Sequence, residues 1–196
     1  MKLRFLATVV LLVVTTVAAH AQVGLYFDPI AIHVSNSGLA QDSTPYAFLG
    51  PNDTSRTFWG VNFGGYYDFY KQGRLNVGTD MRWTDLHANN ASLKEFLVGV
   101  RFVDEPANRP LKPYLQASIG GGWTKSPGSQ ISIKKVNYRF ALGADYAIHK
   151  HLDFRVFELG YGSLDTISSA TVGGGGNIAI PASNLFSVSS GLVFRF

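Results

Sequence analysis

Apolar and polar side chains alternate along most of this chain. Near its end, Phe186, Val188 and Leu192 occupy even positions, whereas Ser187 and Ser189 occupy odd ones. Successive side chains of a β-strand point to opposite faces, so this alternation predicts strands with one apolar and one polar face. The same pattern recurs in eight segments, without a sustained 3.6-residue period. Their approximate spans are 23–34, 57–70, 74–86, 92–103, 112–124, 135–148, 151–163 and 185–196.

The connections between these segments alternate in length. Short turns follow the second, fourth and sixth segments, at 71–73, 104–111 and 149–150. Mostly longer loops follow the others, at 35–56, 87–91, 125–134 and 164–184. A tilted strand needs about 9 to 11 residues to cross a bilayer, and short periplasmic turns with longer extracellular loops are typical of outer-membrane barrels. The sequence therefore predicts an all-β fold, an eight-stranded antiparallel up-and-down transmembrane β-barrel over residues 22–196.

The first 21 residues predict how the chain reaches that membrane. Lys2 and Arg4 precede an apolar run over 5–19, and Ala19-His20-Ala21 is a small-x-small cleavage site. These are the three regions of a secretory signal peptide. We expect residues 1–21 to be removed and residues 22–196 to reside in the outer membrane.

Composition narrows the possible functions. The chain has no cysteine, which excludes disulfides, thiolate metal sites and a lipid anchor on cysteine. Two of its 17 Lys and Arg side chains lie in the leader, so 15 remain against 13 acidic ones. No basic cluster suited to nucleic acid is present. We expect no nucleic-acid partner, no cofactor and no metal, and we interpret His149 and His151 as solvated residues of a turn.

The polar faces of the strands carry charges that must point into the barrel, because the apolar faces contact lipid. Eight strands enclose a space that side chains can fill, where an unpaired charge costs several kcal/mol. Symmetric hairpins would place Arg82 opposite Glu95 and Asp145 opposite Arg155. Glu158 interrupts the alternation, which predicts a bulge or a position near the extracellular rim. The predicted lumen charge network comprises Asp68, Asp80, Arg82, Glu95, Arg101, Arg139, Asp145, Asp153 and Arg155.

Aromatic residues are placed where the strands would cross the two membrane interfaces, as expected for a transmembrane barrel. Trp59, Trp83 and Trp123 fall at the predicted extracellular rim. The predicted periplasmic girdle comprises Phe27, Tyr67, Phe69, Phe102, Tyr114, Tyr146, Phe154, Phe194 and Phe196.

Three segments carry a resemblance to a known family. They are Pro113 to Gly122, Tyr138 to Tyr146 and the terminal Gly191-Leu192-Val193-Phe194-Arg195-Phe196. In these the chain resembles the small eight-stranded outer-membrane barrels, the OmpA-like and OmpX-like, porin-like group. The resemblance implies that Leu192, Phe194 and Phe196 form the signal read by the barrel-assembly machinery. It also implies contact with outer-membrane lipid and lipopolysaccharide.

Three functions are compatible with such a barrel. The first is a structural or surface-interaction role with a lumen plugged by side chains, and an unknown extracellular ligand could bind at loops 35–56, with Tyr46, Phe48 and Leu49, and 164–184. The second is a small pore for ions or solutes. The third is an enzyme that modifies lipid A, for which Asp85, His87 and Ser92 would be the candidate acid, base and nucleophile. The nearly equal numbers of carboxylates and arginines favour the first, because a selective pore would carry one dominant sign.

Overall fold

In the computed structural model, eight antiparallel strands close into one barrel, each hydrogen-bonded to the next and β8 to β1. The structure describes residues 22–37, 48–50, 53–127, 132–166 and 182–196, so the predicted leader at 1–21 lies outside the described residues. Within these ranges no helix is long and apolar enough to cross a membrane. The predicted barrel is confirmed. The strands are β1 (Gln22–Asn36), β2 (Ser55–Gln72), β3 (Leu75–Ala88), β4 (Ala91–Asp104), β5 (Leu111–Lys125), β6 (Ser132–His149), β7 (Leu152–Thr166) and β8 (Ser183–Arg195).

The two ends of the barrel differ in their connections. The turn end holds residues 73–74, 105–110 and 150–151 together with the start of β1 and the end of β8. The loop end holds the connections that follow β1, β3, β5 and β7. One of these is shorter than predicted, because β3 and β4 are joined only by Asn89 and Asn90. Their φ angles of 43° and 66° fit a two-residue hairpin turn that matches the twist of the strands.

This tight turn also changes the predicted pairing of β3 with β4. Glu95 lies opposite Thr84, and Arg82 lies opposite Leu97. The predicted pairing of Arg82 with Glu95 is therefore wrong by two residues. The reason is that the hairpin is centred between Asn89 and Asn90 rather than between residues 88 and 89.

Strand β7 contains the bulge that Glu158 predicted. The register with β6 shifts between the Ala144 and Asp145 pairs, and the register with β8 shifts between Arg155 and Glu158. The two residues in between bring Glu158 to the inner face, where it is buried. The bulge thus places Arg155 and Glu158, three positions apart, on the same side of the strand.

The outer face is a belt of exposed apolar side chains that includes Phe140, Leu115 and Ile119. Trp59 is exposed on this face near the loop end, where the rings of Trp83 and Trp123 lie 5.8 Å apart. Tyr67, Phe69, Phe102 and Tyr146 lie on the outer face of the turn-end half, and Leu192, Phe194 and Phe196 are exposed at the end of the chain.

Tyr114 does not belong to this outer girdle. It is buried in the lumen, because its neighbours Pro113 and Leu115 are the residues of β5 that face outward.

Candidate functional site in the barrel lumen

Arg82 is the centre of the first group of charges inside the barrel. Its Nη1 lies 2.6 Å from Oε1 of Glu158, and its Nε lies 3.1 Å from Oδ1 of Asp80. Its Nη2 donates to the side-chain oxygen of Gln116 at 2.8 Å, and the hydroxyl of Tyr26 donates to Asp80 at 2.8 Å. All five side chains are buried. The arginine charge is therefore compensated by two carboxylates that are themselves hydrogen-bonded.

Arg155 is the centre of a second group. Its Nε lies 3.1 Å from Oδ1 of Asp145, and its Nη1 lies 2.7 Å from Oδ2 of Asp28. Arg101 reaches the other oxygen of Asp145 at 2.6 Å. Asp145 and Arg155 are cross-strand partners, so that predicted pairing is confirmed. Because Nη1 of Arg155 also lies 3.5 Å from Glu158, both groups form one central network.

Aromatic rings enclose the cations of this central network. The guanidinium carbon of Arg101 lies 4.2 Å from the ring centre of Tyr66 and 4.3 Å from that of Tyr114. Such stacking contributes about 2 kcal/mol when the cation is desolvated. Two inward-facing glycines make room for these rings, because a Cβ on Gly24 would overlap Tyr66 and one on Gly143 would overlap Tyr114.

Glu95 belongs to a separate cluster nearer the loop end. Nη2 of Arg139 donates to its Oε2 at 2.6 Å, and the amide of Asn137 donates to its Oε1 at 2.5 Å. Nε and Nη1 of Arg139 have no hydrogen-bond partner among the described residues. This pair crosses from β4 to β6, whereas the sequence predicted a partner on β3.

A third cluster lies at the turn end. Nζ of Lys112 lies 3.1 Å from both Asp153 and Glu105. Nη2 of Arg195 lies 2.8 Å from Oδ1 of Asp153, close enough for an ion pair although that oxygen has no hydrogen bond of good geometry. Asp68 is buried nearby, and its Oδ1 has no hydrogen-bond partner within the described ranges. The cavity among these groups has a volume of about 10 Å³.

The carboxyl of Glu105, in the turn between β4 and β5, stays ionised over a wide pH range. Burial alone would raise its pKa. The hydrogen bond from Asn76, the positive charge of Lys112 and the hydrogen bonds from Lys71 and Lys112 outweigh burial and lower the pKa of Glu105 to about 2. Its negative charge therefore holds the lysines of the turn end together.

The loop-end half of the lumen contains an apolar cluster with the buried Lys135 beside it, whose Nζ lies 5.4 Å from the ring centre of Phe48. Two residues that follow β1 in the sequence, Phe48 and Leu49, are buried there, with 4% and 2% of their surface exposed. The ring of Phe48 stacks on that of Phe58 at 5.0 Å. This apolar cluster comprises Ile30, Ile32, Val34, Phe48, Leu49, Phe58, Leu86, Ala91, Leu93, Leu164 and Leu185.

The apolar cluster corrects the prediction that Phe48 and Leu49 belong to a surface for an extracellular ligand. They cannot contact such a ligand while they are buried in the lumen. Tyr46 and the central part of loop 164–184 lie outside the described residues, so the prediction of a ligand there stays open.

The structure brings most of the predicted lumen residues together and adds others. The central network contains five of the predicted residues, Asp80, Arg82, Arg101, Asp145 and Arg155. The separate cluster nearer the loop end contains Glu95 and Arg139, and the turn-end cluster contains Asp68 and Asp153. Sequence reasoning missed Asp28 and Lys112, although both lie at inward positions of alternating strands and the alternation could have identified them. It also missed Tyr26, Tyr66 and Gln116, because an uncharged polar side chain gives no signal of pairing.

A small polar group lies outside the barrel, near the loop end. Nε2 of His87 lies 3.1 Å from Oδ1 of Asp85, and Nζ of Lys94 lies 3.0 Å from Oδ2. Ser92 is the cross-strand partner of His87. The three residues predicted as acid, base and nucleophile are thus neighbours, but Asp85 is shared with a lysine. No group of three or more His, Asp or Glu suited to a metal occurs within the part of the chain that the structure describes.

Comparison with known proteins gives a family match and a fold match. The family model described as outer membrane protein beta-barrel domain matches residues 5–194. Neisserial surface protein A is similar in structure, with a TM-score of 0.52, 15% identity, and coverage of 89% of this chain and 97% of that one. Ail of Yersinia pestis, in complex with the heparin analogue sucrose octasulfate, gives a TM-score of 0.50, 15% identity and coverage of 90% and 99%. No curated protein matches this chain.

Proposed function

This chain belongs to the outer membrane protein beta-barrel domain family, and from that premise we propose that it is a closed barrel that acts through its surface rather than as a pore. The protein lies in the outer membrane, with the turn end in the periplasm and the loop end at the cell surface. The observation that supports the proposal is that two unlike groups of buried side chains lie inside the barrel. One is the central network of charges, and the other is the apolar cluster above it.

The central network supports closure because its charges are compensated by one another. Arg82, Arg101 and Arg155 each lie within 3.1 Å of at least one carboxylate oxygen. Removing one partner from such a buried pair costs about 3–5 kcal/mol, so the ion pairs hold these side chains inside the lumen. The clusters contain both signs in nearly equal number, whereas a selective pore favours one sign.

The apolar cluster supports closure independently. Phe48, Leu49 and Phe58 are almost fully buried in the loop-end half of the lumen. A hydrated ion would have to shed its water beside these aliphatic and aromatic side chains, which is a costly transfer, and a cation would also meet the buried ammonium of Lys135. The turn-end cavity of about 10 Å³ has room for roughly one water molecule. Solute passage would therefore require both groups of side chains to rearrange.

Conductance of the refolded barrel in planar bilayers tests this proposal, after heat-modifiable gel mobility has shown that the barrel formed. We expect no reproducible openings. Arg139→Glu reverses a charge inside the lumen, and Arg74→Glu reverses an exposed charge that pairs with Asp104 outside it. Discrete openings whose ion selectivity changes with Arg139→Glu but not with Arg74→Glu would contradict closure and establish the pore.

An enzyme that modifies lipid A is the second candidate, favoured by the contact between Asp85 and His87. Turnover of lipid A by the wild type that disappears in His87→Ala, with folding unchanged, would support it. The sharing of Asp85 with Lys94 favours a surface contact instead, because the lysine competes for the carboxylate that would orient the histidine.

The partners follow from the location. We propose that the outer belt contacts membrane lipid and lipopolysaccharide, and that Leu192, Phe194 and Phe196 are read by the barrel-assembly machinery during insertion. We further propose that residues 1–21 are a signal peptide removed on export. Mass spectrometry of the protein isolated from outer membranes would test removal, since the chain should then begin at Gln22.

A further inference from the structure

A row of cationic and aromatic side chains crosses the outer face of β3 to β6 near the loop end. Lys134 lies opposite Trp123, and Trp123 lies opposite Lys94. Lys94 in turn lies opposite Asp85. Lys125 is two residues beyond Trp123 on the same outer face of β5. We call Lys94, Lys125 and Lys134, with Trp123 among them, the lysine row.

The lysine row occupies one sector of the barrel. The outward positions of β1, β2, β7 and β8 in the loop-end half carry no Lys or Arg among the residues the structure describes. Uncharged, aromatic, histidine or acidic side chains occupy them instead, namely His33, Ser35, Thr57, Trp59, Tyr161, Asp165, Asn184 and Phe186. Among the described residues, the outward-facing lysines of the loop-end half therefore lie on three adjacent strands, β4, β5 and β6.

The depth of the lysine row is fixed by its neighbours. Trp83 and Phe96, which lie opposite each other, are two residues closer to the membrane centre than Asp85 and Lys94. Two residues of a strand span about 7 Å. Tryptophan rings sit at the level of lipid headgroups. The row is therefore at the boundary between the apolar belt and the aqueous outer surface.

We propose that the lysine row binds the phosphate groups of a phosphorylated glycolipid of the outer leaflet, the lipid A part of lipopolysaccharide. This inference rests on the proposed contact with lipopolysaccharide and names the site. Lysine is a common phosphate ligand, and basic side chains beside a membrane recognise anionic lipid headgroups. Neighbouring strands are about 4.8 Å apart, so Lys94 and Lys134 are separated by about 10 Å across Trp123. One headgroup with two phosphates can span that distance.

Asp85 positions Lys94 for this contact. The carboxylate of Asp85 holds Nζ of Lys94 at 3.0 Å, yet 45% of the lysine side chain remains exposed. An ammonium group has three donor hydrogens, so one contact leaves two for phosphate oxygens. The ring of Trp83 lies beneath the row, 5.8 Å from the ring of Trp123 within it, and the two rings offer an apolar surface against which the first methylenes of acyl chains can pack.

The test measures lipid binding by the purified barrel in neutral detergent, using native mass spectrometry. The probes are lipid A with two phosphates and the same lipid A after enzymatic removal of its phosphates. We expect the phosphorylated form to bind at least tenfold more tightly. The triple variant Lys94→Gln, Lys125→Gln and Lys134→Gln should bind both forms equally, because each lysine near an anionic headgroup contributes about fivefold.

A matched triple variant at the turn end controls for general charge loss. Arg74→Gln, Arg109→Gln and Lys150→Gln also remove three positive charges, all from exposed side chains. This variant should keep the full preference for phosphorylated lipid A. Heat-modifiable mobility reports folding of every variant.

Three results would overturn the inference. They are equal binding of the two lipids by the wild type, equal loss in both triple variants, and equally tight binding of soluble sucrose octasulfate, which would indicate a site for any polyanion. Conductance recorded on the same preparations tests closure of the lumen independently of lipid binding. If the barrel shows no openings but binds the two lipids equally, the proposed lipid site is wrong and closure stands. If the barrel conducts but prefers phosphorylated lipid A, closure is wrong and the lipid site stands.

Discussion

The guanidinium of Arg155 in β7 donates a hydrogen bond of 2.7 Å to the carboxylate of Asp28 in β1. These strands are not neighbours, because β8 lies between them. The bond therefore passes over β8 inside the lumen and ties β7 to β1, in addition to the backbone ladders that β8 makes with both strands. It joins residues 127 positions apart in the sequence.

Breaking this contact from one side should destabilise the barrel strongly. We expect Arg155→Ala to lower the free energy of unfolding by about 3–5 kcal/mol, because it leaves the buried Asp28 with only the hydrogen bond from Asn62. Asp28→Ala should cost less, because Arg155 keeps its contacts with Asp145 and Glu158. Urea unfolding of the barrel in lipid vesicles measures the loss. The double variant should lose less than the sum of the two single losses, and strict additivity would show that the pair does not interact.

The apolar cluster should depend on Phe48 although this residue precedes β2 and lies in no strand. Phe48→Ala is expected to cost about 3–5 kcal/mol, since it empties a buried site beside Phe58. Leu49→Met, which nearly conserves volume, should cost less than about 1.5 kcal/mol. Unfolding in vesicles compares the two variants. An unchanged midpoint for Phe48→Ala would mean that the segment is not held in the lumen in the membrane.

The turn-end cluster should weaken in acid through Glu105. Its pKa is lowered from the usual 4.5 to about 2 in the folded protein. A lowered pKa stabilises the fold above the unfolded value and loses that contribution as pH falls through the folded value. The difference in unfolding free energy between wild type and Glu105→Gln should therefore be full above about pH 5.5 and vanish between about pH 4.5 and 2, with an upper limit near 3 kcal/mol. A difference that is constant from pH 7 to pH 2 would contradict the ionised state of this carboxyl.

The turn between β3 and β4 makes a local prediction. Asn90 has a φ of 66°, which glycine adopts without cost and a β-branched residue adopts poorly. Asn90→Gly should leave stability unchanged or slightly raised, whereas Asn90→Val should cost about 1–2 kcal/mol. Refolding yield and unfolding midpoint in the same lipid distinguish them. Equal stability of the two variants would mean that the hairpin has another turn geometry.

The alternation of side chains sufficed to predict the strands and the inward charges, because a period of two determines the face of every residue once one face must contact lipid. It could not predict the partners across the lumen. Arg82 contacts Glu158 on β7 rather than Glu95 on β4, since long side chains in a narrow barrel reach beyond the neighbouring strands. The alternation of side chains also could not predict that Phe48 is buried, because a loop has no fixed period of inward and outward positions.

Hairpin register was the other source of error. The sequence around Asn89 and Asn90 allowed a five-residue loop, and only the positive φ angles at both residues fix the two-residue turn. The correct register of Asp145 and Arg155 was found because the turn at 150–151 is short and leaves few alternatives.

The shortness of the Asn89-Asn90 hairpin has a consequence for how the protein meets its neighbours. The connection between β3 and β4 has two residues, fewer than any other connection at the loop end, and β4 carries Lys94 of the lysine row. A bulky saccharide can approach the barrel there without passing over a long connection. The strands form a nearly symmetric ring, but one side of the barrel differs from the others. The molecules beside it in the membrane would therefore contact it differently on different sides.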